Sequence, residues 1–348
     1  MTTTHKKTTI GLDLGDRQLP VCALSEEGKI LAETNIPNSR EALSKLSEEY
    51  PQANIAMETG THSPWISRHL QSRNHKVLVA NARKLRAIYK NTNKCDKVDA
   101  RMLARLGRAD PELLSPIKHR SEACQRDLVN LKARHALVRS RVSLINAVRA
   151  LLKSLGIRLP SGCSAESFTK KARGHLASTD LDLVESLLVQ IDHLNATIKH
   201  LDKKIEVLST AKYQETVRLR ELPGVGPLTA LCFVLTLEEH QRFRKSREVG
   251  AFLGLTPKRD QSGDSDKQLP ISKAGNAGLR CLLVNCAHHI LGPFGADNPM
   301  RQAGLRICER GGPNAKKKAV IAVARKLSVT MHAIWRSGQA YQSHVPAA

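Results

Sequence analysis

Leu187, Ile191, Leu194, Ile198, Leu201, Ile205 and Leu208 are separated alternately by four and three residues. That spacing lays one continuous apolar seam along a helix, for about three heptads. No strand carries such a period, so the middle of the chain has to be helical. A second stretch, Leu128 to Leu155, is apolar at helical spacing through Val138, Val142, Ile145, Val148 and Leu152. Gly156, Pro160, Gly162 and Gly174 interrupt the pattern between the two. The expectation is two long helices with an irregular connection, packed as an antiparallel pair within one subunit or used for oligomerisation.

The flanks read differently. Before the helical middle, short apolar runs alternate with helical patterns. Strands are expected at Thr8–Leu14, Leu19–Leu24 and Lys29–Ile36, the last two flanking the turn signal Ser25-Glu26-Glu27-Gly28. A helix over Asn38–Glu49, a strand over Asn54–Met57, a helix over Ser63–Ser72, a strand over Lys76–Ala80 and a helix from Asp96 to Arg108 follow. Three strands, helix, strand, helix, strand, helix is the order of an RNase H-like (RuvC-like) α/β fold. After the middle, Pro227–Leu237, Arg247–Leu253, Asn276–Leu291 and Ala315–Trp335 look helical, and Gln261–Leu269 reads as a loop or short hairpin. The organisation expected is an α/β domain over 1–115, a helical coiled-coil region over 116–212 and a mainly α domain over 213–348.

Charge narrows the partners. Lys and Arg number 55 against 32 Asp and Glu, a net charge of +23. The excess runs the whole length, and such a field attracts polyanions, nucleic acid first among them. No run of 18 apolar residues and no secretory leader pattern argue for membrane insertion or export, so a cytoplasmic, nucleoid-associated location is expected. The eight cysteines are scattered without a C-x-x-C pair, which fits reduced thiols. Cys281, Cys286, His288 and His289 match no standard zinc spacing and read as core thiols on a helix.

One constellation carries chemistry. Asp13 sits in Ile10-Gly11-Leu12-Asp13-Leu14-Gly15, where a carboxylate on an apolar strand is costly unless paired or holding a cation. Glu58 ends Ile55-Ala56-Met57-Glu58, and Asp96 and Asp99 stand three apart, on one helix face. In an RNase H-like sheet these three segments converge. Four carboxylates are hard oxygen ligands suited to Mg²⁺, with Mn²⁺ as a substitute, and to two-metal phosphoryl transfer. Asp16 reads as a turn residue.

Three further features point to phosphate. Leu222-Pro223-Gly224-Val225-Gly226-Pro227 resembles the turn of a helix-hairpin-helix, which presents backbone N–H groups to DNA; a plain helix–helix turn explains it equally. A basic, glycine-punctuated stretch follows, with Lys258, Arg259, Ser262 and Gly263, then Ser272, Lys273 and Gly275, then Arg280. No nearby His or Asp marks a triad, so Ser262 on spacing alone is a hydrogen-bonding loop serine. Lys316, Lys317 and Lys318 decorate the last long helix, as a phosphate-facing stripe or a solvated face. Aromatic residues make up only 3%, so stacking on bases is a minor mode.

Taken together, Asp13, Glu58, Asp96 and Asp99, the coiled coil, and the ordered series Leu-Pro-Gly-x-Gly, Gly-Leu-x-Pro, Ser-Gly, Ile-Ser-Lys-x-Gly and Leu-Arg resemble the DEDD transposases of the insertion sequence 110 family, including its 1111 subgroup, the bridge-RNA-guided recombinases. The resemblance covers nearly the whole chain. It implies a transposase that cuts and rejoins double-stranded donor and target DNA, with Ser262 as nucleophile in a covalent phosphoserine link and the acidic cluster with Mg²⁺ assisting. It also implies a structured non-coding RNA that sets sequence choice, and a homo-oligomer, dimer or tetramer. Ser265 and Ser272 are competing serines. The rival readings are a metal-dependent resolvase of Holliday junctions without a serine nucleophile and a non-catalytic nucleic-acid-binding protein.

Overall fold

Thr9, Ile10, Gly11 and Leu12 are all buried, as in a strand covered on both faces. In the computed structural model, which describes residues 8–84, 96–263 and 265–341 (for Asp96 and 265–268 the backbone alone), this strand, β1 (Thr9–Leu12), is the centre of a five-stranded sheet. β2 (Gln18–Leu24) and β3 (Ile30–Pro37) extend it antiparallel on one side; β4 (Asn54–Glu58) and β5 (Lys76–Ala80) extend it parallel on the other. The order is β3-β2-β1-β4-β5. The strands expected from sequence are all present, with ends moved by a residue or two.

Alternation along the strands divides the faces. Ile10, Leu12, Ile55 and Met57 enter a core with Leu43 and Leu46 of α1 (Arg40–Glu49) and Ile66 and Leu70 of α2 (Ser63–Gln71). Ser39 caps α1 by accepting from the Ala42 N–H. The opposite face packs on α3 (Asp96–Ala109): Cys22 and Leu24 meet Ala100 and Ala104, and Ala56 and Ala80 meet Leu103. Arg101 of α3 grips the Glu33 carboxylate in a two-pronged pair at 2.6 and 2.8 Å, fixing the helix across β2 and β3. Burial, with the Glu33 carboxylate close by, pushes the Cys22 thiol up to about 11, so it stays a neutral core thiol.

Backbone contacts divide the chain into two compact units, Met1–Arg120 and Ser121–Ala348. In the second, α4 (Glu122–Ser154) and α7 (Glu185–Ala211) form the expected helix pair, joined through the short helices α5 (Phe168–Arg173) and α6 (Ser178–Asp182). Two apolar clusters hold the pair at its ends. Val148 and Leu152 meet Phe168, Leu188 and Ile191 at one, while Leu128, Leu131 and Ile205 join the core of the C-terminal helices at the other. Polar bridges fix the register between them: Arg134 pairs with Asp202, and buried Arg141 donates to Asn195 at 2.8 Å and Glu166 at 3.1 Å.

The seam is only half closed. Ile191, Ile198 and Ile205 are buried, whereas Leu187, Leu194, Leu201 and Leu208 are half-buried, because α4 shields one flank of the stripe and the C-terminal helices cover only its last turns. Val142 departs from expectation and faces solvent, 47% exposed.

The remaining helices are α8 (Glu215–Leu219), α9 (Pro227–Leu237), α10 (Arg247–Phe252), α11 (Ala277–Leu291), α12 (Pro299–Glu309) and α13 (Ala315–Ser337); α9, buried at every position from Thr229 to Leu237, packs on α4, α7, α8 and α11. β6 (Pro257–Ser262) and β7 (Ser265–Ile271) form a separate two-stranded sheet. Of the two cysteines read as core thiols on α11, Cys286 is buried and Cys281 is exposed. Among the described residues no helix is long and apolar enough to cross a membrane.

Two buried histidines give the fold an acid sensitivity. His332 lies between the Ser246 hydroxyl and the His240 carbonyl, both 2.9 Å away, and His75 between Ser47 and the Ala53 carbonyl. Burial holds both imidazoles below the ordinary 6.5. The unfolded chain therefore takes up protons first; stability is full above pH ~6.5 and is lost as pH falls toward the lower folded values. The thermal midpoint should drop between pH 7 and pH 5, and His75→Gln with His332→Gln should flatten that slope. An unaltered slope in the double variant would assign the acid sensitivity elsewhere.

Candidate functional site

β1 and β4 run parallel with Leu12 opposite Met57, so Asp13 and Glu58 occupy the next rung at the carboxyl ends of adjacent strands. The Asp13 N–H donates to the Pro20 carbonyl at 3.1 Å, keeping the chain extended one residue past β1. Both residues share the parity of Gly11 and Ala56, which face α3, and so belong to the α3 side of the sheet. Asp13 and Glu58 are half-buried, and one Asp13 oxygen accepts from the Leu14 N–H at 2.9 Å.

Gly11 decides how α3 meets them. A β-carbon there would lie 2.5 Å from the Ala104 amide nitrogen and closer still to the Ala100 carbonyl oxygen. The helix backbone thus rests directly on the strand. Ala100 stands over Gly11, and Gly107 lies near Thr9 and Ala56, so α3 runs opposite to β1 and its first turn lies toward the Asp13 end. Asp99, half-buried, immediately precedes Ala100. The backbone of Asp96 opens α3; its side chain lies outside the described residues. Among the described residues no three His, Cys, Asp or Glu side chains stand close enough to hold a metal ion.

Asp16, read as a turn residue, has a partner. Its carboxylate is 3.0 Å from His62 Nε2, and His62 Nδ1 accepts from Trp65 Nε1–H at 3.2 Å. The two contacts fix the ring as the Nε2–H tautomer. They link the loop after β1 to the loop after β4, at the strand ends that carry Asp13 and Glu58. Asp16 and His62 are 46 residues apart, and only the β1–β4 pairing brings them together.

The Ser262 segment is a hairpin. β6 and β7 pair from Pro257 with Ile271 to Ser262 with Ser265, and Gly263 takes a positive φ of 54° in the turn. Every residue of β6 is exposed, so Ser262 closes the tip of an arm that carries Lys258 and Arg259. Ser265 faces Ser262 across the last rung; its side chain lies outside the described residues. Ser272 is at the other end, where its N–H donates to the Thr256 carbonyl at 2.9 Å.

The sequence model of the DEDD transposases of IS110 type matches residues 10–157, and that of the transposase IS116/IS110/IS902 family matches 217–297. Over 261 residues the chain is 30% identical to the transposase for insertion sequence element IS1111A of Coxiella burnetii, covering 73% of this chain and 70% of that protein. With the transposase for element IS1328 of Yersinia enterocolitica it shares 28% over 283 residues, 80% of this chain and 83% of that one. The chain belongs to the IS110 family of transposases.

The first matched span contains Asp13, Glu58, Asp96 and Asp99; the second contains the Gly224 turn, the Ser262 hairpin and Arg280. In this transposase Gly224 adopts φ 75° and packs its α-carbon against α11, where a β-carbon would meet the Cys286 carbonyl and His289 at 3.2 Å. Gly226 faces open space and precedes α9, whose first turn has no side-chain cap. Lys273, also at positive φ, lies in the loop at the base of the hairpin. Arg280 braces that loop, its Nη1 donating to the carbonyls of Leu253 (3.0 Å) and Ala274 (2.7 Å). This bracing depends on a fold contact that spacing does not reveal.

Lys316, Lys317 and Lys318 of the transposase are exposed in the first turn of α13, outside both matched spans. That turn contains no acidic residue and no side-chain cap. Cations there oppose the helix dipole, which costs the helix a few tenths of a kcal/mol each and raises the local positive potential.

Proposed function

We propose that this IS110-family transposase cuts and rejoins double-stranded DNA, with Asp13, Glu58, Asp96 and Asp99 of the first unit as cation-holding carboxylates, Ser262 of the second as nucleophile, and a structured RNA choosing the sequence. The observation that carries the proposal is the shared rung and face of Asp13 and Glu58 beneath the start of α3, which also bears Asp99. The strand order β3-β2-β1-β4-β5, with β1, β4 and β5 parallel, supports an RNase H-like reading of that unit. The donor set consists only of carboxylate oxygens, which fits a hard divalent cation such as Mg²⁺. When bound, the cation supplies positive charge that polarises a phosphate.

The chain's own residues do the rest. The Ser262 hydroxyl, exposed at a hairpin tip, can reach a phosphate on a duplex. Its oxygen bonds to phosphorus, one phosphorus–oxygen bond of the DNA breaks, the serine proton passes to solvent, and the departing DNA oxygen takes a proton from water. A hydroxyl of the second DNA then attacks the phosphoserine, joins the strands and returns the serine. Lys258 and Arg259 flank the phosphate with positive charge. Gly224, Gly226, Lys273 and Lys316–Lys318 hold backbone phosphates elsewhere, and Arg280 keeps the hairpin base in place. With 3% aromatics against a charge of +23, the protein suits backbone recognition, leaving sequence to base pairing with RNA. The helix pair of α4 and α7, with its half-open seam, suits assembly into a dimer or tetramer.

The test is to incubate the protein with labelled donor and target DNA and the RNA transcribed beside its gene, with Mg²⁺ or a chelator, and to denature. A protein–DNA adduct at Ser262 that requires the divalent ion is expected, and Asp13→Asn should lower its rate on the order of 100-fold. Cleaved DNA ending in free phosphates with no adduct would identify a water-activating resolvase instead.

A further inference from the structure

The far end of the α4–α7 pair carries a basic cleft of about 640 Å³, lined by Arg149, Lys153, Gly156, Arg158 and Leu159. We propose that this cleft is a further phosphate-backbone site, remote in sequence from both the carboxylates and the Ser262 hairpin, and that it anchors duplex nucleic acid without reading its sequence. The proposal rests on the reading of this chain as a nucleic-acid enzyme and assigns that activity an additional holding point.

The cleft is constructed by the local chain path. Arg149 and Lys153 are one helical turn apart on α4 and share a face. α4 ends at Ser154, Gly156 turns the chain at φ 78°, and the return segment brings Arg158 alongside. Arg149 is held in place. Its Nη2 donates to the Pro160 carbonyl at 3.2 Å, and its guanidinium lies 5.2 Å from the ring centre of buried Phe168. A cation anchored in this way loses little freedom on meeting an anion. Lys153 and Arg158 are exposed and make no ion pair among the described residues.

The carbonyls at the C-terminus of α4 attract a cation, and Lys153 in the last turn answers them. Arg158 lies beyond the helix, and no acidic residue lines the cleft. Over residues 149–175 six Lys and Arg stand against one acid, Glu166, which is paired with Arg141; Arg173 is paired with Glu185 and Asp192, which leaves five cations without an ion pair among the described residues. Like charges gathered without counter-charges destabilise a surface unless a polyanion shares it. A phosphate backbone supplies that polyanion, and its negative groups would sit between the anchored Arg149 and the free Lys153 and Arg158.

The experiment measures binding of the full chain to a duplex of about 30 base pairs, as DNA and as RNA of the same sequence, across a salt series from about 50 to 200 mM. Lys153→Ala with Arg158→Ala should weaken binding roughly 10-fold and flatten the slope of log affinity against log salt by about 1.8, the value for two phosphates. Lys199→Ala with Lys203→Ala, the same charge change on exposed positions of α7, should leave the slope unchanged. Lys153→Arg with Arg158→Lys should restore it, which separates a charge role from a folding defect. A loss confined to one duplex identifies the nucleic acid held there, and a loss on both supports a shape-blind site. The inference is overturned if the cleft pair keeps the parental slope, or if the α7 pair flattens it equally. Parental protein that binds neither duplex would overturn the nucleic-acid reading as well, whereas strong parental binding with an unaffected cleft variant would overturn this inference alone.

Discussion

Ser262→Ala is expected to lower strand joining by at least about 10³-fold and to abolish the protein–DNA adduct, with DNA affinity unchanged. The size follows from what the residue supplies. A nucleophile that forms the covalent link has no substitute within its own side chain, whereas a phosphate contact is one among many. Ser262 suits the role because it closes the tip of a hairpin whose strand β6 is exposed along its whole length, next to Gly263, which has open space around its α-carbon among the described residues. The hydroxyl therefore meets a phosphate without displacing protein. The alanine variant keeps the β6–β7 ladder, which uses backbone groups only, so lost joining cannot be laid to lost structure. Ser272→Ala, at the hairpin base, is the matched control and should join strands at the parental rate. Parental joining by the Ser262 variant, measured with RNA and both DNAs, would end the serine mechanism.

The second large effect comes from a residue with no side chain. Gly11→Ala would drive a methyl group into the backbone of α3 at Ala100 and Ala104. Those are main-chain atoms of a helix held by Arg101 to Glu33, so relief requires moving the helix and not a side chain. Overpacking of this kind costs about 3 kcal/mol or more, a large fraction of the usual margin of 5–15 kcal/mol. A fall of roughly 10 °C in the melting of the N-terminal unit is expected. Recombination should fall with it even well below the melting temperature, because α3 also positions Asp99 relative to Asp13 and Glu58. A Gly11→Ala protein with parental melting and parental activity would show that the close approach of α3 to β1 is unimportant.

Much of the architecture could be read in advance. The heptad period named α7 as a long helix, and alternating short runs named all five strands of the sheet. Turn chemistry placed Gly263 near a hairpin but did not separate hairpin from loop, since the strands of that arm are polar and exposed and bear no apolar alternation. α12 went unread for a related reason: its apolar residues Met300, Leu305 and Ile307 are few and lie between Gly-rich stretches. Val142 fits the apolar spacing of α4 yet faces solvent, because spacing gives the stripe while the partner helix decides which part of it is covered.

The linear chain by itself determined the kinds of element, the excess of positive charge and the four acidic residues, since period, composition and motif order are local properties. The tertiary structure alone decided that Asp13 and Glu58 share a rung and a face, that Asp16 meets His62, and that Arg280 braces a loop. The reason is that a strand's alternation defines two faces without saying which is which. Only pairing between segments tens of residues apart, together with the close seating of α3 on Gly11, assigns each side chain to one of them.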